Sequence, residues 1–312
     1  MNLSLKDYIT ENEIQNYSKT TVKNKKAILQ QFERWLWETF QIELDDATTR
    51  HVKRWIKYLL DKEIKANTIN TKLKTLTNFY KFCIKEKILK DNQLEDIELL
   101  KEEKVMIKPF SLQDIEKMIG FYCGSNFMDV RNKTILTCLF ETGIRSAELS
   151  GPKLEDVFDD ALLIRGKGNK QRLVPVSLEL KRQLNKYRRA REKYLKGEEC
   201  PFLFVCTRTK GGGLRKDDKP IGRMGHDAVL NVVKRSGKAC GVDVKLLVHS
   251  CRRESYAQIS LGHTDLYTVS RLLGHNQLAT TEKYIQSMED KTVLERGRNA
   301  SPLTLLERDI HN

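Results

Sequence analysis

The sequence predicts a mainly α-helical protein with a small β-sheet (an α+β protein), and three observations lead to that prediction. The first 100 residues contain no glycine and no proline, and their apolar residues recur at helical spacing. Later in the chain, two short apolar runs flank a glycine-containing loop, which is typical of a β-hairpin. With 312 residues, the chain is long enough for two domains, each with its own core.

The first domain is predicted to be a helical bundle over residues 1–100. Its clearest helix has an apolar face made of residues that step by three or four, namely Ile69, Leu73, Leu76, Tyr80 and Ile84. A second stripe of this kind consists of Ile28, Phe32, Trp35 and Phe40. A third helix is expected from His51 to Leu60. The charged segment 101–109, which ends in Pro109, is the predicted linker.

The second domain is predicted over residues 110–290 and mixes helices with the hairpin. Ser111 is the expected N-cap of its first helix, with Asp114 in the first turn. The strands ALLIR and RLVPV flank GKGNKQ, and a long basic helix should follow from Leu178 to Leu195. A further helix, capped by Asp265, should stop at Gly274. The chain is expected to be helical again from Leu278, and residues 291–312 form a polar tail.

Composition favours a polyanionic partner such as nucleic acid, since the net charge is +14. No apolar run is long enough to span a bilayer, and the N-terminus does not resemble a signal peptide. Seven cysteines without CxxC spacing indicate reduced thiols, as in a cytoplasmic protein, and we expect association with the nucleoid. No sequence pattern indicates a metal site or a nucleotide-binding loop.

Charge is concentrated in residues 50–90, which hold twelve lysines and arginines against three acids. The simplest interpretation is a solvated helix face. The alternative is a DNA-binding surface, because threonine and asparagine residues suited to phosphate contacts are interspersed. The candidate DNA-binding residues are Arg50, Lys53, Arg54, Lys57, Lys65, Lys72 and Lys74.

Six polar residues in the second half of the chain have the chemistry needed to cleave a phosphodiester: Arg145, Lys167, His249, Arg252, His275 and Tyr284. Such a reaction needs a nucleophile, cations around the non-bridging oxygens and an acid for the leaving hydroxyl. Each residue alone has an ordinary explanation, such as a surface arginine, a solvated loop lysine or a half-buried tyrosine. Glu148 would either orient Arg145 or simply begin the next helix.

Taken together, the segments GIRSAEL, GKGNKQR, HSCR and LLGHNQLATTEKY resemble the tyrosine recombinase (phage integrase) family over about residues 105–290. The resemblance implies a helical core-binding domain followed by a catalytic domain, in the two-domain arrangement of Xer-like or archaeal and plasmid recombinases. It departs from the family at Arg253, where a second histidine is usual, and at Cys251, where an aliphatic residue is common.

The resemblance also implies a role for each of the six residues. Tyr284 would attack the scissile phosphate and form a 3′-phosphotyrosine, and Lys167 would protonate the 5′-oxygen. Arg145, Arg252 and His275 would stabilise the transition state, and His249 would accept the tyrosine proton or bind the phosphate. No cofactor or metal would be needed, because the phosphotyrosine conserves the bond energy.

These expectations describe a site-specific recombinase that clamps double-stranded DNA and assembles as a homotetramer on two DNA sites. The tail 291–312 would contact a neighbouring protomer. The alternatives are a DNA-binding protein of the same fold without catalysis, a DNA-relaxing enzyme like a type IB topoisomerase, and a metal-dependent nuclease. The sequence does not indicate the target site or any accessory protein.

Overall fold

The computed structural model describes residues 2–90, 94, 97–102, 110–166, 170–206, 222–242, 256–257, 260 and 264–285, the side chains of 283–285 excepted. The chain divides into two compact units, Met1–Val105 (unit 1) and Met106–Asn312 (unit 2). The predicted linker 101–109 falls mostly outside the described residues.

The described residues of unit 1 form a bundle of four α-helices: α1 (Leu3–Ile14), α2 (Lys19–Phe40), α3 (Thr49–Asp61) and α4 (Ala66–Lys85). The predicted third helix, 51–60, lies within α3. Helix starts follow the local sequence, since the side chains of Asn2 and Ser18 accept hydrogen bonds from the first turns of α1 and α2. The bundle that the sequence predicts is confirmed.

The core of unit 1 corrects the predicted helix faces in two details. In α4 the predicted stripe is buried except at its end, where Cys83 is buried and Ile84 is only partly covered. In α2 the buried line is Leu29, Phe32 and Leu36, whereas Ile28, Trp35 and Phe40 pack at its edge. The reason is that α1, α3 and α4 all contact α2, so its buried stripe is centred between the two apolar rows that the sequence offers.

Unit 2 contains one hairpin and seven α-helices whose bounds both lie within its described residues. They are α5 (Leu112–Gly120), α6 (Phe127–Thr142), α7 (Ser146–Leu149), β1 (Ala161–Arg165), β2 (Gln171–Pro175), α8 (Leu178–Leu195), α9 (His226–Ala239), α10 (Leu266–Leu273) and α11 (Leu278–Ile285). Ser111 caps α5 and Asp114 completes the capping box, as predicted. The long basic helix α8 has the predicted bounds, and Ser177 caps its first turn.

The hairpin that the sequence predicts is present, with its second strand starting one residue earlier than expected. β1 and β2 are antiparallel, and Ile164 pairs with Arg172 while Arg165 pairs with Gln171. The amide of Gly166 donates to the carbonyl of Lys170 at 2.7 Å and closes the strand ends. The loop residues 167–169 lie outside the described part of the chain.

α6 is the central helix of unit 2 and is buried on most of its surface. α8 runs antiparallel against it, because Gln183 contacts Thr134 while Tyr194 stacks on Phe127, at the start of α6. α6 ends at Gly143, and the chain then turns into α7. This turn places Arg145 at the far end of α6 from Phe127.

The last two helices form a pair around a tight turn. Asp265 caps α10 and Gly274 ends it with a left-handed backbone (φ +67°), both as predicted. α11 begins at Leu278, where the sequence predicts that the chain becomes helical again. The hydroxyl of Thr281 is not used as a cap because it has another partner inside the fold, His275.

Candidate active site

Unit 2 has an open cleft of about 750 Å³ where the end of α6, the hairpin and the turn between α10 and α11 meet. Cations and polar groups dominate its walls. The lining residues include Arg145, Glu148, Arg165, Lys170, Arg172, Arg271, His275 and Asn276. A cleft with several positive side chains is suited to a phosphate group or another anion.

Arg145 reaches the cleft from the residue just before α7. Its Nη1 donates to Glu148 Oε1 at 2.5 Å, and its backbone amide donates to the second oxygen of the same carboxylate at 2.9 Å. Glu148 therefore orients Arg145 and also belongs to the next helix, so both of the possibilities suggested by the sequence apply. The Arg145 side chain stays 37% exposed, so part of its guanidinium faces solvent.

Arg172 is a member of this site that sequence reasoning missed. Its Nη2 donates to Glu148 Oε2 at 2.8 Å, and its Nε donates to the carbonyl of Leu272 at 2.8 Å. One signal in the sequence could have revealed it. Arg172 lies opposite Ile164 in the hairpin and shares the buried face of the strands, where an arginine needs an acidic partner.

The Glu148 carboxylate is the electrostatic centre of the cleft. Burial alone would raise its pKa. The hydrogen bonds from Arg172 and from the Arg145 amide, together with the two guanidinium charges, outweigh that effect and lower the pKa from 4.5 to about 2. Glu148 is therefore ionised at neutral pH, and it fixes the two arginines in place without being exposed to solvent.

His275 lies directly after Gly274 and is oriented by α11. One ring nitrogen, Nδ1, is 2.7 Å from the hydroxyl of Thr281, which is fully buried. Thr281 therefore holds the imidazole in place, and His275 lines the cleft. Thr281 was also missed at the sequence level. The sequence alone does not distinguish its hydroxyl from that of Thr280, because its partner His275 is brought to it only by the fold.

Gly274 is required at this turn for a second reason besides its backbone angle. A Cβ atom built there would lie 2.8 Å from Nη1 of Arg172. Arg172 thus passes directly beneath the turn that carries His275 and connects it to Glu148 and Arg145. The arginine and histidine predicted from separate sequence motifs are thus linked through the side chains of Glu148 and Arg172.

The hairpin contacts the same turn through Lys170. Its Nζ donates to Oδ1 of Asn276 at 3.0 Å. Lys167 itself lies outside the described residues, but its neighbours Gly166 and Lys170 both line the cleft. The structure therefore places the base of the predicted lysine loop at the cleft rim.

The six predicted catalytic residues differ in what the structure records of them. Arg145 and His275 line one cleft. Lys167, His249 and Arg252 lie outside the described residues, as do Arg253 and Cys251. Tyr284 is part of α11, three residues after Thr281, and its side chain is not described.

The candidate DNA-binding residues occupy two helices of unit 1. Arg50, Lys53, Arg54 and Lys57 are exposed on α3, Lys65 precedes α4, and Lys74 is exposed on α4. Two of these amines donate hydrogen bonds: that of Lys57 to Asp61 at 2.7 Å, and that of Lys72 to Gln31. The Lys72 amine also lies 5.7 Å above the ring of Trp55. Burial lowers the pKa of Lys72, so it is partly committed to the bundle.

In the described part of the chain, no three histidine, cysteine or acidic side chains come together as a metal site. No helix within the same residues has the length and apolar character needed to cross a bilayer.

Comparison with known proteins adds sequence relationships to this geometry. The pattern of the phage integrase family matches residues 109–291, and that of the phage integrase N-terminal SAM-like domain matches residues 6–87. Tyrosine recombinase XerC of Bacillus licheniformis is 30% identical over 282 residues, which are 88% of each chain. XerD of Rickettsia bellii is 26% identical over 281 residues, 86% of this chain and 88% of the relative.

Solved structures share the fold. A lambda integrase(75–356) dimer bound to a COC′ core site matches with a TM-score of 0.71 at 17% identity, over 90% of this chain and 93% of that chain. XerH recombinase bound to a palindromic difH substrate matches with a TM-score of 0.68 at 19% identity, over 95% of this chain and 83% of that chain.

The fold and these relationships define a tyrosine-type site-specific recombinase that acts on DNA. The chain belongs to the phage integrase family, with an N-terminal SAM-like core-binding domain and Xer-like relatives. The family predicted from the four sequence motifs is confirmed, as is the mainly helical fold with a small sheet.

Proposed function

We propose that this recombinase cuts and rejoins duplex DNA through a 3′-phosphotyrosine on Tyr284. The observation that carries this proposal is the shared cleft of Arg145 and His275, two residues separated by 130 positions and joined through Glu148 and Arg172. A scissile phosphate in this cleft would meet a guanidinium and an imidazole, which are the groups suited to non-bridging oxygens.

In the proposed first step, every bond and proton is accounted for by the protein, the DNA and solvent, without a cofactor. The Tyr284 oxygen forms a bond to phosphorus, and the bond from phosphorus to the 5′-oxygen breaks. His249 accepts the tyrosine proton, or binds the phosphate while that proton passes to solvent, and Lys167 gives a proton to the leaving 5′-oxygen. Rejoining reverses the step with a 5′-hydroxyl as the attacking group. No metal or nucleotide has a role in this scheme.

We assign the stabilisation of negative charge in the transition state to three residues: Arg145, Arg252 and His275. Among the described residues, the Arg145 side chain donates only to Glu148 and through one nitrogen, so its remaining donors can bind a phosphate. Thr281 holds the ring of His275 from the buried side. This preorganisation supports a stabilising role, because the groups do not need to move when charge develops.

The partner is proposed to be double-stranded DNA, bound as a homotetramer on two sites. Support comes from the solved relatives, which include a lambda integrase dimer on a core site and a lambda integrase tetramer on a Holliday junction. We assign residues 1–100 to core binding, 101–109 to a linker, 110–290 to catalysis and 291–312 to contact between protomers. We place the protein in the cytoplasm with the nucleoid.

The test is the variant Tyr284→Phe on a nicked duplex whose sequence is taken from the genomic neighbourhood of the gene for this protein. After cleavage the nicked duplex loses a short fragment, and this loss traps the covalent product. The variant should bind DNA like the parent and give no adduct on a denaturing gel. The matched control is Tyr267→Phe, because Tyr267 is an exposed tyrosine on α10 and should be dispensable. An undiminished adduct in Tyr284→Phe would remove this residue as the nucleophile.

Two additions to the same assay address the alternatives. Cleavage should persist in excess EDTA, and a loss restored by magnesium would indicate a metal nuclease instead. Adding a second duplex should produce recombinant strands. Relaxation of supercoiled DNA without strand exchange would indicate an activity of the topoisomerase kind.

A further inference from the structure

A second basic surface on unit 2 lies apart from the cleft. It borders a groove of about 420 Å³ between α8 and the start of α6. We call it the α8 face and define it by Lys186, Arg189 and Lys193 together with Ser125, Phe127 and Tyr194. None of these residues has a role in the reaction described above.

The three cations of the α8 face point to one side of the helix. Their spacing of three and four residues puts them in a row about 10 Å long. All three are exposed, and none has an ion-pair partner among the residues that the structure describes. By contrast, Lys181 near the start of the same helix pairs with Asp159 at 2.8 Å.

The acidic residue nearest to this row in sequence, Glu192, lines a different groove. It lies with Arg188 and Arg191 on another side of α8, next to Leu154. The positive charge of the α8 face is therefore not neutralised by its own helix.

A further positive charge is buried next to Phe127, one of the groove residues. Phe127 and Tyr194 stack with ring centroids 3.9 Å apart, and the guanidinium carbon of Arg131 lies 5.7 Å from the Phe127 ring. Arg131 is 4% exposed, and the groups it binds are neutral, the carbonyl of Val205 and the amide of Asn132. Burial lowers its pKa, yet a guanidinium remains charged at neutral pH.

The α8 face is remote from the cleft. α6 has 16 residues and is therefore about 24 Å long. Phe127 begins this helix, whereas Arg145 follows its end. A single phosphate group cannot reach both places, so the α8 face needs an occupant of its own.

We propose that the α8 face binds the sugar–phosphate backbone of duplex DNA outside the segment that occupies the cleft. A row of three unpaired cations matches an extended polyanion better than a small anion, and DNA presents one phosphate per 3.4 Å of axis on each strand. The chain already acts on DNA, so this polyanion is present wherever the enzyme works. Such contacts hold position without reading sequence.

The experiment compares two double variants of the full chain that each remove two charges from α8 or its end. Arg189→Gln with Lys193→Gln alters the α8 face, and Arg182→Gln with Lys196→Gln is the matched control outside the groove. Binding of a long random-sequence duplex is measured by fluorescence anisotropy at several salt concentrations. The first pair should reduce the slope of log K against log salt by about 2, since each phosphate contact contributes about 0.9. The control should stay close to the parent.

An unchanged slope in the first pair, or an equal reduction in both pairs, would overturn the proposal. The proposal also requires that the first pair still forms the Tyr284 adduct on a duplex no longer than the recombination site. Loss of that adduct would assign these residues to the DNA in the cleft. Because the binding assay needs no cleavage, failure of the tyrosine assignment leaves its result intact.

Lysine acetylation followed by mass spectrometry gives a second, independent readout. Random-sequence duplex should protect Lys186 and Lys193 several-fold while Lys196 stays reactive. Protection by polyglutamate but not by DNA would indicate an acidic protein partner and would contradict the proposal.

Discussion

Replacing Glu148 by glutamine should weaken unit 2 in a way that depends on pH. The fall of the Glu148 pKa from 4.5 to about 2 means that folding favours the charged carboxylate by about 3 kcal/mol. Solvent at the partly exposed Arg145 screens some of this energy, so we expect Glu148→Gln to lower the unfolding free energy by about 2 kcal/mol at pH 7. Glutamine keeps the shape, so the loss reports on charge.

The pH dependence follows from the direction of the shift. A carboxyl group with a depressed folded-state pKa stabilises the protein above its unfolded pKa, and the contribution disappears as pH falls toward the folded value. The difference between parent and Glu148→Gln should therefore be full above about pH 5 and shrink between 4.5 and 2. Urea unfolding followed by circular dichroism at pH 7, 5 and 3.5 would measure it.

Two internal controls make this measurement specific. Trp35, Trp37 and Trp55 are the only tryptophans and all belong to unit 1, so the tryptophan fluorescence transition should be the same in parent and variant. Glu179→Gln removes an exposed carboxylate 3.8 Å from its arginine partner and should cost less than about 0.5 kcal/mol. A loss in Glu148→Gln no larger than in this control, or one that is constant from pH 7 to pH 3.5, would refute the electrostatic account.

Three further predictions concern the reaction and DNA binding. Thr281→Val should slow adduct formation about fivefold, because one hydrogen bond to His275 contributes about 1 kcal/mol. Thr281→Ser keeps the hydroxyl and should form the adduct at the rate of the parent. Equal rates in the two variants would contradict a role of Thr281 in orienting His275. Lys167→Ala should slow cleavage by about 10²–10⁴ on normal DNA and recover on a substrate with a 5′-bridging sulfur, whereas Arg145→Ala should stay slow on both. If sulfur gives no recovery, Lys167 is not the acid. Neutralising Lys53 and Arg54 should reduce the slope of log K for DNA binding against log salt by about 2. An unchanged slope would indicate that the charged face of α3 is solvated and does not bind DNA.

Local signals in the sequence were sufficient for most of the elements. α8 has its predicted bounds because a serine cap precedes an uninterrupted run of helix-forming residues. Gly274 stops α10 because its backbone angle is one that few other residues adopt. The error in the α2 stripe has a tertiary cause, since three neighbouring helices decide which of two adjacent apolar rows is buried.

The candidate site was predicted in its members but not in its connections. Arg145 and His275 were found from motifs, and both line the cleft. Arg172 and Thr281 were missed because their roles depend on partners distant in the sequence or on a turn of the chain. Arg172 acquires meaning only when the hairpin brings it to Glu148, 24 residues earlier, and to Leu272, 100 residues later.

The turn at Gly274 has a consequence for how this enzyme can diverge. Asparagine often replaces glycine where only a left-handed backbone is needed, and Gly241, with φ +69° and nothing within 4 Å of a built Cβ, could accept that exchange. At Gly274 any side chain also meets Arg172. A side chain at position 274 would displace Arg172 from its hydrogen bonds to Glu148 and Leu272, so a substitution of Gly274 should affect the site in the same way as a substitution of Arg172. The two positions are therefore expected to diverge together, if at all.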